Sequence, residues 1–66
     1  INVVNLSDID IDVLRLSEQG LSNQEIADLL YYDINSIKFH KKQIFKQLKV
    51  TNIKEAIDYA YNNKLI

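Results

Sequence analysis

Lysines recur at helical spacing in one stretch of the chain, residues 33–50, which reads DINSIKFHKKQIFKQLKV. On a helical wheel of roughly 100° per residue, one arc of this stretch is apolar and another is basic. The apolar arc consists of Ile34, Ile37, Ile44, Phe45 and Leu48, with His40 at its edge. The basic arc consists of Lys38, Lys42, Lys46 and Lys49, with Phe39 beside them. The pattern predicts a single amphipathic helix with a basic outer face.

The chemistry that these side chains offer is the binding of an anion. Ammonium groups donate hydrogen bonds, and a helix that presents lysines along one face suits the major groove of DNA. The alternative is a surface helix whose lysines are merely solvated, and this stretch alone leaves both readings open.

Catalysis and metal binding have little support in the sequence. His40 is the only histidine, and no activated nucleophile or other catalytic partner accompanies it. The chain has no cysteine, and one histidine offers too few ligands of the transition-metal type. We therefore expect no enzyme activity, no metal and no cofactor, and we interpret His40 as a structural or phosphate-contacting residue.

The charge of the chain is divided between its two halves. Its 66 residues make one small domain with a net charge of −1. Residues 1–37 hold one basic and seven acidic residues, whereas residues 38–66 hold seven basic and two acidic residues. Because the local field steers a polyanion more than the net charge does, this division favours an anion-binding second half.

The absence of membrane and secretion signals from the sequence indicates where the protein works. It contains no apolar run of the roughly 18 residues that a membrane span needs, and no signal peptide is visible. We expect a cytoplasmic protein. The chain begins at Ile1 instead of Met, so we also expect it to be a fragment of a longer protein.

Start and stop signals predict an all-α fold, a four-helix bundle with helices at about 8–19, 23–31, 34–49 and 53–63. Ser7 with Asp10, Ser22 with Glu25 and Asn52 with Glu55 have the spacing of capping boxes, and Asp33 can cap the third helix. Gly20 is expected to end the first helix. Residues 1–5 would be the end of a linker, and Leu6 would pack on the core.

Only a tight turn of about three or four residues fits between Leu30 and Ile34. Two helices joined in this way, the second carrying the basic face, form the helix-turn-helix pattern. At the end of the second helix, we expect Tyr32 to be mostly buried and Tyr31 to be more exposed.

The motifs together have a specific spacing along residues 6–66. They are Leu6-Ser7, Val13-Leu14, Gly20-Leu21-Ser22-Asn23, Glu25-Ile26-Ala27 with Leu30, Ile37-Lys38 with His40, then Ile44, Leu48, Val50, Asn52 and Glu55-Ala56. In this respect the chain resembles the LuxR-type (GerE-like) helix-turn-helix domain, which is found at the C-terminus of bacterial response regulators and quorum-sensing regulators.

The resemblance implies a sequence-specific DNA-binding output domain of a bacterial transcription regulator. Its third helix, 34–49, would enter the major groove of double-stranded DNA, and its fourth would mediate a homodimer on paired half-sites. An N-terminal receiver or ligand-binding domain would be missing from the chain.

The resemblance, together with the placement of the side chains, predicts roles for individual residues. Base contacts would come from Lys38, Phe39 and Lys42. Phosphate contacts would come from Ser36, His40, Lys41, Lys46 and Lys49. Dimer contacts would come from Ile53, Ile57 and Tyr61.

The chain departs from the family pattern at four positions that are usually basic, namely Ile9, Gln24, Gln47 and Ile53. Each lost phosphate contact would flatten the salt dependence by about 0.9 in log–log slope. The two isoleucines either pack locally or contact another protein. An alternative function is therefore a protein-interaction module that keeps the fold and binds DNA weakly.

Overall fold

Four α-helices make up the computed structural model, which describes residues 6–66. They are α1 (Asp8–Glu18), α2 (Asn23–Leu30), α3 (Ile34–Leu48) and α4 (Ile53–Asn62). The all-α, four-helix prediction is confirmed, and every helix begins where the sequence predicted. The linker expected at residues 1–5 lies outside the described residues.

Local hydrogen bonds explain why the first two helices begin where they do. The Ser7 hydroxyl accepts from the Asp10 N–H (3.4 Å), and the Asp10 carboxylate accepts from the Ser7 N–H (3.2 Å). Ser22 and Glu25 exchange the same pair of bonds at 3.2 and 2.9 Å. Both capping boxes satisfy amide groups that have no partner within the helix.

The third and fourth helices begin with a simpler cap. Asp33 accepts from the Ser36 N–H at 2.7 Å, and the Asn52 side chain accepts from the Glu55 N–H at 2.9 Å. The prediction of a reciprocal capping box at Asn52 is wrong, because the Glu55 carboxylate accepts instead from the N–H and the hydroxyl of Thr51, at 2.9 and 2.8 Å. Thr51 presents both its N–H and its hydroxyl to this carboxylate, which therefore binds one residue further back than in a capping box.

Each helix ends one residue earlier than predicted. The chain leaves each helix through a residue with positive φ, namely Gly20 (93°), Tyr31 (62°), Lys49 (57°) and Lys64 (58°). The N–H of the following residue then donates to a carbonyl five residues back, with the pairs Leu21–Leu16, Tyr32–Ala27, Val50–Phe45 and Leu65–Ala60 at 2.7–3.2 Å. These are Schellman-type ends, and in three of them a residue other than glycine adopts the left-handed conformation.

The core places α3 at the centre of the domain. Its buried residues pack with those of the other helices, and α3 contacts α1, α2 and α4. The fully or nearly buried apolar side chains are Val13, Leu14, Ile26, Ala27, Ile37, Ile44, Leu48, Ala56 and Ala60. Because this inner face is fixed by burial, the opposite face of α3 is fixed as the outer surface. Leu6 packs against the same core.

The turn between α2 and α3 corrects one prediction. Tyr32 is 46% exposed, so the expectation that it would be mostly buried is wrong. The left-handed conformation of Tyr31 turns the chain away from the core, and the Tyr32 ring lies edge-on to the His40 ring, with centroids 6.2 Å apart. Tyr31 is 96% exposed, as expected.

Candidate nucleic-acid interface

The outer face of α3 carries a row of exposed lysines. Lys38, Lys42, Lys46 and Lys49 are all exposed, and Phe39 beside them is 57% exposed. Within residues 6–66 none of these ammonium groups has a carboxylate in ion-pair distance. The face therefore presents positive charge that the described part of the chain does not neutralise.

Ser36 lies at the start of α3 and is only partly available. Its N–H donates to the Asp33 carboxylate at 2.7 Å, so this amide is already used within the chain. Its side chain is half-buried. A phosphate bound by Ser36 would therefore use its hydroxyl, beside a carboxylate of the same charge sign as the phosphate.

His40 is held by a partner that the sequence reasoning did not identify. Its Nδ1 lies 3.2 Å from Oδ1 of Asp10, whose side chain is 8% exposed. The Phe39 and Tyr32 rings lie edge-on to the imidazole, with centroids 5.9 and 6.2 Å away. One nitrogen is thus committed to α1, and a phosphate contact would have to use Nε2. The predicted contact of His40 with phosphate stays a prediction.

A cleft opens between the start of α2 and the side of α3. Its volume is about 340 Å³, and it is lined by Asn23, Lys38, Lys41, Lys42 and Phe45. Lys41 is half-buried, and this burial lowers the pKa of its ammonium group. The Oδ1 atom of Asn23 is buried without a hydrogen-bond partner. No contact was predicted for Asn23, although it follows directly on a predicted cap.

The residues predicted to form a dimer differ in exposure. Ile53 and Ile57 on α4 are half-buried and pack against the core of their own chain, whereas Tyr61 is 66% exposed. Ile9, another departure from the family pattern, also packs against the core. This observation supports the local-packing alternative for Ile9 and Ile53.

Gln24, at a position where the family resemblance led us to expect a basic residue, is bound within its own helix. Its side-chain amide donates to the Asp28 carboxylate at 2.9 Å. In residues 6–66, no helix is long and apolar enough to cross a membrane, and no group of three histidine, cysteine or acidic side chains could hold a metal ion.

The short α2–α3 turn, the buried face of α3 and its basic outer face define a helix-turn-helix regulatory domain. The chain belongs to the luxR family of bacterial regulatory proteins, whose model matches residues 4–60. The family resemblance inferred from the sequence is thereby confirmed. The family is one of regulatory proteins and not of enzymes.

Individual relatives agree with this assignment. The chain is 41% identical over 61 residues to the Fimbriae Z protein of Salmonella typhimurium, and the match covers 92% of this chain and 29% of that protein. It is 34% identical over 61 residues to the response regulator protein VraR of Staphylococcus aureus, with 92% and 29% of the two chains covered. The chain thus spans under a third of these relatives.

A solved structure has the same fold. The crystal structure of the response regulator ChrA, from a heme-sensing two-component system, superimposes with a TM-score of 0.90 at 37% identity. The superposition covers 94% of this chain and 31% of the ChrA chain.

Proposed function

We propose that this chain is the sequence-specific DNA-binding output domain of a bacterial transcription regulator. The observation that carries the proposal is the row of exposed lysines on α3, which no carboxylate of residues 6–66 neutralises. The buried stripe of α3 fixes the direction of this row, so the helix can enter the major groove as a rigid element. The mechanism is binding, without a chemical step.

Within the groove, some side chains of α3 would contact bases and others would contact phosphates. Lys38 and Lys42 would donate to guanine O6 and N7, and Phe39 would touch a thymine methyl group. Phosphate contacts would come from Ser36, His40, Lys41, Lys46 and Lys49. Base contacts carry the sequence information, whereas phosphate contacts fix the register of the helix.

The regulator would act as a homodimer on paired half-sites, because one domain offers few base contacts. The dimer would use α4, and Tyr61 is the best placed of the three proposed residues because most of its side chain is exposed. Residues 6–66 would form the output domain, with residues 1–5 ending a linker from an N-terminal receiver or ligand-binding domain. The response regulators among its relatives favour a receiver. Such a regulator would work in the cytoplasm.

Amide chemical shifts measured while a mixed-sequence duplex is added at low salt test DNA binding directly. Signals from residues 34–49 should move most. If those signals stay in place while the protein is folded, the proposal is wrong. The competing function is then a protein-interaction module, which the acidic first half of the chain and the intrahelical bond of Gln24 favour.

Base reading needs a separate experiment. Duplexes selected from a random pool would supply a preferred sequence, and Lys42→Ala should weaken binding to it by about 1–3 kcal/mol while binding to unrelated duplexes changes less. Lys64→Ala, which removes an exposed lysine beyond α4, is the matched control. Equal binding of Lys42→Ala and the unchanged chain to the preferred duplex would contradict base reading by this residue.

The dimer can be tested with the same duplexes. Tyr61→Glu should reduce the occupancy of a duplex with two half-sites and leave the affinity for a single half-site unchanged. Sedimentation of the protein–DNA complexes gives the number of chains bound. If Tyr61→Glu leaves two chains bound with unchanged cooperativity, α4 does not form the dimer through this residue.

A further inference from the structure

We propose that the cleft between the start of α2 and the side of α3 seats a single DNA backbone phosphate, bound by Lys41, with Asn23 as its positioning residue. This inference rests on the proposed DNA binding and adds a defined phosphate site at its edge. In this site Asn23 would position a lysine for the phosphate. Lys41 would lie in the cleft, apart from the row of exposed lysines on the outer face of α3.

The lysines around the cleft favour an anionic occupant. Three of its five lining residues are lysines, namely Lys38, Lys41 and Lys42. No carboxylate of residues 6–66 forms an ion pair with any of them. Lys41 is half-buried, so water solvates its ammonium group less completely than that of an exposed lysine. An anion in the cleft would supply the missing countercharge.

Asn23 provides the second, independent observation. Its Oδ1 is buried without a hydrogen-bond partner, a state that is uncommon for a carbonyl oxygen in a folded protein. Lys38, Lys41 and Lys42 line the same cleft as Asn23, and their side chains carry donors. Because an ammonium group has three donors, one lysine can bind Asn23 and still donate to a phosphate oxygen. Asn23 would thus hold a lysine in place for the phosphate.

The position of the cleft favours DNA over a free anion. Lys38 and Lys42 belong both to its lining and to the exposed row on α3, so the cleft is continuous with the face that would enter the groove. A helix in the major groove is flanked by the phosphates of the two strands. A backbone phosphate would therefore meet this edge of α3 when the lysine row faces the bases.

The main test is the salt dependence of binding to a mixed-sequence duplex. Lys41→Met keeps an unbranched apolar stem against the cleft wall and removes the charge. We expect the log–log slope to become shallower by about 0.9, which makes the loss of affinity between 50 and 200 mM salt about 3.5-fold smaller. Lys64→Met removes one exposed charge outside the cleft and should leave the slope unchanged.

Two further variants change the charge at the α2 edge of the cleft. Gln24→Lys adds a cation on the first turn of α2, next to Asn23, and should restore the slope of the Lys41→Met protein. Asn23→Asp places a carboxylate at the cleft. Because this carboxylate has the same charge sign as a phosphate, we expect at least a tenfold loss of DNA affinity. Circular dichroism at the temperature of the binding experiment shows whether the Asn23→Asp protein is folded, and a folded variant with undiminished DNA affinity would exclude Asn23 from the site.

The outcomes distinguish this inference from the proposed function. If the unchanged chain does not bind the duplex at low salt, the proposed function itself fails. If it binds and Lys41→Met leaves the slope unchanged, only the phosphate site is wrong. A titration with inorganic phosphate provides a third test. If millimolar phosphate shifts the Asn23 and Lys41 amides while Lys41→Met leaves the slope for DNA unchanged, the cleft is a free-anion site and the inference is overturned.

Discussion

The Nδ1 atom of His40 lies 3.2 Å from Oδ1 of Asp10, and this contact joins α3 to the first turn of α1. The other carboxylate oxygen of Asp10 accepts from the Ser7 N–H and completes the cap of α1. One buried carboxylate therefore holds both the start of the first helix and the side of the proposed recognition helix. The orientation of α3 and the capping of α1 are coupled through this group.

Removal of the Asp10 carboxylate should be costly for stability. Asp10→Ala removes the reciprocal bond of the capping box, from the Ser7 N–H, and leaves a half-buried imidazole without its partner, so we expect the free energy of unfolding to fall by about 1–3 kcal/mol. Urea unfolding followed by circular dichroism measures this loss. Asp12→Ala, an exposed aspartate on the same helix, should change the free energy by less than about 0.5 kcal/mol. Similar losses for the two variants would show that the Asp10 contacts contribute little.

The left-handed helix ends predict opposite effects of two substitutions. At Gly20 (φ 93°) an added Cβ meets no atom within 4 Å, so Gly20→Ala should destabilise only through its backbone, by about 1–2 kcal/mol. Tyr31 adopts a similar conformation and is almost fully exposed, so Tyr31→Gly should stabilise the domain by up to about 1 kcal/mol. Thermal and urea unfolding measure both changes. A destabilised Tyr31→Gly protein would mean that the tyrosine makes a contact that offsets its backbone strain.

Lys49 combines helix termination with proposed phosphate binding, so its two roles can be separated. Lys49→Gly should raise the free energy of unfolding, because φ at this residue is 57°. It should also make the salt dependence of DNA binding shallower by about 0.9 in log–log slope. Lys64→Gly is the control, since it relieves the same backbone conformation (φ 58°) at a residue with no proposed DNA contact. An unchanged slope for Lys49→Gly would remove Lys49 from the phosphate contacts.

Two capping glutamates should make the domain less stable in acid. The backbone N–H of Ser22 lowers the pKa of Glu25, and the backbone N–H of Thr51 lowers the pKa of Glu55. Since each pKa is lower in the folded than in the unfolded chain, the stabilisation is complete above the ordinary glutamate range. It is lost as the pH falls through the folded-state values.

The free energy of unfolding, measured by urea between pH 7 and pH 3, checks this dependence. Glu25→Gln and Glu55→Gln should each lower stability at pH 7 and make the fall toward pH 3 less steep. Glu18→Gln changes an exposed glutamate that caps no helix of residues 6–66, and it should leave the shape of the profile unchanged. Parallel profiles for all three variants would exclude the two caps as the cause.

The sequence alone determined the helices and their starts. Capping bonds join residues three apart, so Ser7, Ser22 and Asp33 could be assigned from local spacing. The local range of capping bonds also explains the wrong predictions. Thr51 competes with Asn52 for the Glu55 carboxylate, and both residues lie within its reach, so spacing does not select between them. The predicted ranges of α2 and α3 ran one residue too far, into Tyr31 and Lys49, because apolar periodicity does not show where a non-glycine residue will turn left-handed.

The tertiary structure alone decided which side chains meet across helices. Asp10 and His40 are 30 residues apart, and only the packing of α1 against α3 brings their side chains to 3.2 Å. The packing of α2 against α3 likewise places Asn23 and Lys41 on one cleft. Helical periodicity fixes the direction in which a side chain leaves its own helix, but the element opposite it depends on the crossing of helices. The basic face could therefore be predicted from the sequence, whereas the cleft at its edge could not.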